Sequence, residues 1–420
     1  MEFAPHNLQV AFRTAFYASV TSFGPYEERI SDPRLAITEL QLWERGPEFP
    51  GWQTAEGKTY GLIYLQALLL LIIEAENRFG DDSDYLLGTA VAQAYKLKLY
   101  LSGHGHADDL EDMASAEKPR LRVWWSLVVL DRLHAAGGGH PAFIRHDVGV
   151  QAPPGLKGIL GETPFWLTRK SNTLLILRAR ANSRFPGLSR LLDRTAAVIS
   201  HLDPDIPMGW AQKEQILALD MYSDDFRMDL PSDIDPTSHP LVFLAYWHGR
   251  MLLNILNPAG RPQDVMWAAR EAAGLLLANP EVTSPLTQHI VALTSICLLE
   301  LAKVTKTRDE ANGILRDLIE APTAPTTLDI VVAHRINQHL NPTESDEEAT
   351  ARGNLQKLAD LATASVAETA SKGDTEVDAD AEAPDVGDLP FAEATNYEEM
   401  GFDPRRMLIA GYLNIARTSA

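Results

Sequence analysis

Apolar residues recur at intervals of three and four along most of the chain, the period of a helix that buries one face. Within 85–101, Leu86, Leu87, Ala90, Val91, Ala94, Leu97 and Leu101 form one such stripe. Ser83 or Asp84 is placed to cap its start, and Gly103 follows its end, where a left-handed C-cap is favourable. Residues 62–79 are apolar nearly all round, with Leu65, Leu68, Leu69, Ile72 and Ile73 on one side and Leu70 and Leu71 on another. Such a helix needs cover on several sides and belongs at the centre of a bundle. The same period predicts helices over 5–23, 116–136, 165–181, 189–202, 208–222, 241–256, 262–278, 286–306, 308–320 and 327–338. Proline or glycine separates most of them. No alternating strands and no Asn-Gly hairpin interrupt the series, so the predicted class is all-α, a large multi-helix bundle over 1–341.

Beyond Pro342 the pattern changes. Residues 342–390 are acidic, with Glu344, Asp346, Glu347 and Glu348 leading into a short possible helix over 354–370. After it come Asp374, Glu376, Asp378, Asp380, Glu382, Asp385 and Asp388, with almost no large apolar residue between them. Such a stretch cannot offset its ordering entropy and reads as a disordered linker. Over 391–420 apolar side chains return. Leu408, Ile409, Tyr412, Leu413 and Ala416 follow helical spacing, which favours a final helix docked on the body. An acidic-hydrophobic activation segment that folds on a coactivator is the other reading.

One stretch stands apart: Arg120-Leu121-Arg122-Val123-Trp124-Trp125-Ser126-Leu127-Val128-Val129-Leu130-Asp131-Arg132. On a helix Trp124, Leu127, Val128 and Asp131 share a face, and Trp125, Val129 and Arg132 share the adjacent one. The two tryptophans are thus expected to pack in two directions and join separate layers. Gly137-Gly138-Gly139 follow as a flexible exit, then His140-Pro141, Ile144, Asp147-Val148 and Pro153-Pro154.

This pattern resembles the middle homology region of fungal zinc-cluster transcription factors. In that family basic residues precede a Trp-Trp helix ending in Asp-Arg, followed by a Gly-Arg-Pro turn, an apolar residue, an Asp and a Pro. Upstream, Leu65-Gln66-Ala67-Leu68-Leu69-Leu70 is similar to the family's Gln-centred helix, and Gly88-Thr89-Ala90-Val91-Ala92-Gln93-Ala94 to the helix after it. The resemblance is strongest over 60–154 and rests on helical character alone out to about Gln338. His140 departs from it by standing where Arg is usual, and Leu97-Lys98-Leu99 by replacing Leu-Gly-Leu. The family's zinc ions cannot be held here, because six thiolates cannot come from Cys297 alone. Either the chain is a piece of a longer product, or it regulates without touching DNA itself.

The resemblance implies a nuclear regulator of transcription that contacts coregulators, responds to a small-molecule inducer in an apolar pocket, and pairs as a homodimer. No sustained heptad is present to carry the pairing. The motif and structural residues are Arg122, Trp124, Trp125, Asp131, Arg132, Pro141 and Asp147. Asp131, Arg132 and His140 are the candidates to lie near the ligand, and a purely structural pairing and capping role is the alternative.

Composition limits the rest. Hydrophobic residues are 45% and charged residues 22% of 420, ordinary for a folded chain. A net charge of −20 repels phosphate backbones, so DNA is reached only through a separate module or a partner. The greasiest run, 67–73, falls short of the roughly 18 apolar residues of a spanning helix. Cys297 reads as a small buried hydrophobe rather than a nucleophile. His104-Gly105-His106 with Asp108 and Asp109 has the residue types of a metal site but lies in a loop without fixed geometry. Asp224, Asp225 and Asp229 read as part of a polar surface loop over 221–234 rather than as paired carboxylates. No nucleophile elbow, phosphate loop or dinucleotide fingerprint is present, so no cofactor is expected and no catalytic set emerges.

Overall fold

The computed structural model describes residues 4–23, 31–47, 49–78, 82–101, 117–145, 188–341 (apart from 204, 205, 207, 229, 231, 233, 258, 259, 283 and 322–326) and 404–417. Among them are fourteen α-helices and no strand. The protein is all-α.

The first half contains α1 (His6–Thr21), α2 (Pro33–Arg45), α3 (Ala55–Asn77) and α4 (Ser83–Lys96). Helix α2 is absent from the period-based expectation, although Asp32-Pro33 marks its start. The Asp32 carboxylate accepts from the Arg34 amide, and Pro33 occupies a position that needs no N–H. Ala36, Leu40 and Trp43 are its buried stripe. Helix α3 packs on α1, α2, α4 and α5, the central position expected for it. It is long and apolar enough to cross a membrane by length and composition. Its apolar surface is here matched by helices on several sides, and it buries Glu74 and Glu76.

Helix α4 starts without a side-chain cap: Asp82 is its N-cap, and neither Ser83 nor Asp84 plays that role. It also ends before the expected boundary. Lys98 has a φ of 54°, a left-handed turn that leads into a 3₁₀ segment, Leu99–Leu101. The expected C-cap at Gly103 lies outside the described residues. Arg120 then donates to the Leu97 carbonyl at 3.0 Å and ties the turn to α5.

Helix α5 (Glu117–Gly138) carries the tryptophan motif and belongs to two cores. Leu121 through Leu130 pack with α1–α4. Leu133, Ala135 and Ala136 pack with the helices that follow. Both tryptophans lie in the first core, with Trp124 between the rings of Tyr95 and Tyr100. The layers are therefore joined by the length of the helix and not, as the adjacent stripes implied, by one tryptophan in each.

The second core is built by α6 (Leu188–Ile199), α7 (Trp210–Met228), α8 (Pro240–Leu256), α9 (Pro262–Ala278), α10 (Pro285–Leu301), α11 (Arg308–Glu320), α12 (Thr327–Leu340), α13 (Pro404–Ala410) and α14 (Tyr412–Arg417). Helix α7 runs through Asp224 and Asp225, so the loop expected from 221 begins only after Met228. The acidic run stays helical because Arg250 of α8 pairs with Asp220 at 2.6 Å and with Asp224 at 3.2 Å. Helix α10 stops at Leu301, where the Thr307 hydroxyl donates to the Leu301 carbonyl in a tight turn. The final segment is docked, as its apolar spacing implied, with Met407, Leu408, Tyr412, Leu413 and Ala416 buried. It forms two short helices, broken at Gly411, in place of one.

The expected helices over 165–181 and 354–370, the acidic run, Asp147, and the cluster at His104, His106, Asp108 and Asp109 lie outside the described residues.

Candidate functional site

The C-terminal end of α5 and the turn after it bring together several buried charged groups. Asp131 and Arg132 are almost fully buried. The Asp131 carboxylate accepts from the amides of Phe143 at 2.8 Å and Ile144 at 3.0 Å. Arg132 pairs with Asp131, donates to the Ile144 carbonyl at 2.7 Å, and reaches Asp193 of α6 at 3.2 Å. Burial pushes the Asp131 carboxyl above its ordinary range, against the pull of Arg132 and the two amides. A pair that satisfies its charges on one turn and one helix holds those elements in register. Of the two roles expected for it, the arrangement has the form of a support for the turn.

The other motif residues are divided by burial. Trp124 and Trp125 are core, while Arg122 and Pro141 are exposed and His140 is half-buried. The glycine exit is crowded rather than loose. Gly139 and Gly411 both have positive φ, 72° and 82°, and a Cβ on either would meet the backbone of the other segment within 3.0 Å. Helix α5 and the α13–α14 joint cross there at glycine-only spacing.

Beside that crossing runs a chain of polar side chains that sequence reading missed. His134 of α5 donates from Nδ1 to Glu76 Oε1 of α3 at 2.9 Å, and its Nε2 meets the Asp84 carboxylate of α4. The other Glu76 oxygen faces His289 Nε2 of α10 at 3.6 Å. His289 Nδ1 lies 3.0 Å from the Tyr412 hydroxyl of α14, and His248 Nε2 of α8 lies 2.9 Å from the same oxygen. One tautomer set satisfies the Tyr412 hydroxyl and leaves His289 Nε2 and the Glu76 oxygen facing each other without a hydrogen bond. His248 donates from Nε2 to the Tyr412 oxygen, Tyr412 donates to His289 Nδ1, and the His289 Nε2–H points at Glu76. The bare His248 Nδ1 is then left as an unpaired acceptor.

The charges along this chain are set by its surroundings. Burial opposes ionisation of Glu76, but the His134 hydrogen bond and the His289 ring outweigh it and hold the carboxyl down at about 2. His134 is likewise opposed by burial and lifted above the histidine range by Glu76 and Asp84. His248, fully enclosed and next to His289, is pushed down to about 3 and stays neutral. No pattern in the sequence marks these residues, because each is a lone polar position on an apolar helix face. Cys297 is buried, and burial raises its thiol far from the thiolate form that a nucleophile needs.

A half-open cleft of about 590 Å³ lies elsewhere, between α9, α10, α11 and α12. Leu276, Val291, Leu318, Ile319 and Ile336 supply its apolar walls, and Gln288 and Ser295 are among its polar groups. Asp131, Arg132 and His140 do not line it.

No protein-family model matches the chain, and no solved structure matches it. The chain is similar to an uncharacterised transcriptional regulatory protein of Schizosaccharomyces pombe, 27% identical over 268 residues. That similarity takes in 62% of this chain, and it spans 28% of the relative's own length.

Proposed function

We propose that this chain is the effector-responsive helical region of a transcription factor of the fungal zinc-cluster type, acting in the nucleus through coregulators. The observation that carries the proposal is the α5 motif. Its Trp-Trp pair lies in one core, and its Asp131-Arg132 pair ties the following turn to α6. The similarity to a transcriptional regulatory protein of Schizosaccharomyces pombe agrees with this reading. The net charge of −20 and the single cysteine leave DNA contact to another module or to a DNA-bound partner, so a scaffold or corepressor acting on such a partner is the second reading. The cleft between α9 and α12 has the size and lining of a small-molecule site, and we assign the inducer to it rather than to the vicinity of Asp131.

Tethering the whole chain to an unrelated DNA-binding domain upstream of a reporter tests the proposal. Reporter output should change relative to the DNA-binding domain alone. Val291→Trp, which fills the cleft, should alter the response to inducing conditions while circular dichroism stays unchanged. A folded, nuclear fusion with no effect on the reporter would overturn a regulatory role.

A further inference from the structure

We propose that Asp84, His134 and His140 form a site for a divalent transition-metal ion of the zinc class, clamping α4, α5 and the turn after α5 together. This inference stands on the geometry of the three residues and does not depend on the regulatory reading. One ligand atom from each lies within 4.8 Å of the other two. The rings of His134 and His140 have centroids 5.0 Å apart and are tilted by 57°, so their edges converge without stacking.

What distinguishes the cluster from an ordinary surface ion pair is the use of the remaining ring nitrogens. His134 Nδ1 is held by Glu76 Oε1 at 2.9 Å, and His140 Nδ1 by the Pro141 carbonyl at 3.0 Å. Each ring thus directs Nδ1 to an acceptor, and His134 directs Nε2 at the Asp84 carboxylate, a contact that a bound ion would replace with its own bonds to both groups. A carboxylate or carbonyl behind the histidine is the usual support of a metal-bound imidazole, since it fixes the tautomer and the ring orientation. Glu76 is itself buried, so His134 is set rigidly from the interior. Asp84, with a side chain 68% exposed, opens the site to solvent.

The donor set of two imidazoles and one carboxylate suits zinc or its neighbours in the transition series, with a water as fourth ligand. Metal–ligand distances of about 2.0–2.1 Å place tetrahedral ligand atoms about 3.3 Å apart. Asp84 would turn away from its direct bond to His134, and His140 would move inward. Both side chains are accessible enough to do so. The His140 ring also depends on Gly138, because a Cβ at that position would stand 2.7 Å from its Nε2. His140 is the position at which the chain departs from the Gly-Arg-Pro turn described above.

The test is a titration of the chelator-stripped full chain with Zn²⁺ by calorimetry and with Co²⁺ by visible absorption. One ion should bind per chain, and the cobalt form should give the intense d–d bands of a tetrahedral nitrogen and oxygen site. His140→Ala and Asp84→Asn should each lower affinity at least about 10-fold, as loss of a ligand or its support does. Gly138→Ala should lower it as well, by displacing the His140 ring while leaving all three ligand residues unsubstituted. His104→Ala combined with His106→Ala should leave affinity unchanged. Nitrogen-15 NMR of wild type adds a readout that needs no variant, since zinc should shift the Nε2 resonances of two histidines. Failure to bind, binding that survives His140→Ala, or binding lost only in the His104/His106 double variant would each overturn the assignment.

Discussion

Arg132 and Asp131 illustrate how much a single buried residue can constrain. Arg132→Ala would leave Asp131 buried without its cation, a loss of about 3–5 kcal/mol for a broken buried pair. Urea unfolding followed by circular dichroism measures it. Arg132→Lys should recover little, because one ammonium cannot replace a guanidinium that addresses Asp131, Asp193 and the Ile144 carbonyl together. Lys98 is a smaller case with the opposite sign. At a φ of 54° a side chain is strained, and Lys98→Gly should stabilise the chain by about 0.5–1 kcal/mol in the same assay. This glycine would restore the Leu-Gly-Leu of the resemblance, so the departure noted in the sequence has a conformational meaning. Asp131 and Arg132 were legible as a pair, but their partners were not. The Phe143 and Ile144 amides and Asp193 come from a turn and another helix, and periodicity carries no information on which side chain a distant backbone amide will meet. The histidine chain was illegible for the same reason.

Among the elements, the α13–α14 segment does the most with the fewest residues. Tyr412 sits between His248 and His289, and removing its hydroxyl leaves two enclosed imidazoles without their shared partner. Tyr412→Phe should therefore cost about 1–3 kcal/mol although it preserves the ring. Gly411→Ala places a methyl group 2.7 Å from the Gly138 backbone and strains a left-handed φ. Thermal melts should show it more damaging than an alanine at neighbouring exposed Asn414. A melting temperature of Gly411→Ala equal to wild type would contradict the crossing described. Apolar spacing was enough to predict that this segment docks. It could not locate the break, which follows from the two backbones meeting at glycine. Helix α2 was missed although Ala36, Leu40 and Trp43 follow helical spacing, because Asp32-Pro33 was not read as its start. Helix α7 was cut short because its acidic end looked like a loop until Arg250 of α8 supplied the counter-charge.

At the scale of the whole molecule, the second core responds to pH through His248. It faces Tyr412 from α14 and His289 from α10, and its folded value near 3 lies well below the roughly 6.5 of an unfolded histidine. As pH falls below about 6.5 the unfolded chain takes up a proton that the fold refuses. Stability should then drop by up to about 1.4 kcal/mol per pH unit. His134, shifted the other way, partly offsets this slope just below pH 6.5 and ceases to once the unfolded histidine is protonated too, and Glu76 enters only below about 4.3. Urea midpoints at pH 6.5, 5.8 and 5.0 with chelator present check this, and His248→Asn should flatten the dependence. The all-α class and the order of most helices followed from the spacing of apolar residues, which is set locally. The division into two cores did not, because it depends on which helix is long enough to enter both. That division has a consequence for biogenesis. The first core can close early, since its contacts come from α1 to α5 and from Ile144 in the turn that follows. The second core recruits Met407, Leu408 and Tyr412, residues made more than a hundred positions after His289. Until they emerge from the ribosome, the nascent chain carries an open apolar seam and two unpartnered histidines, a state in which chaperones and proteases compete for it.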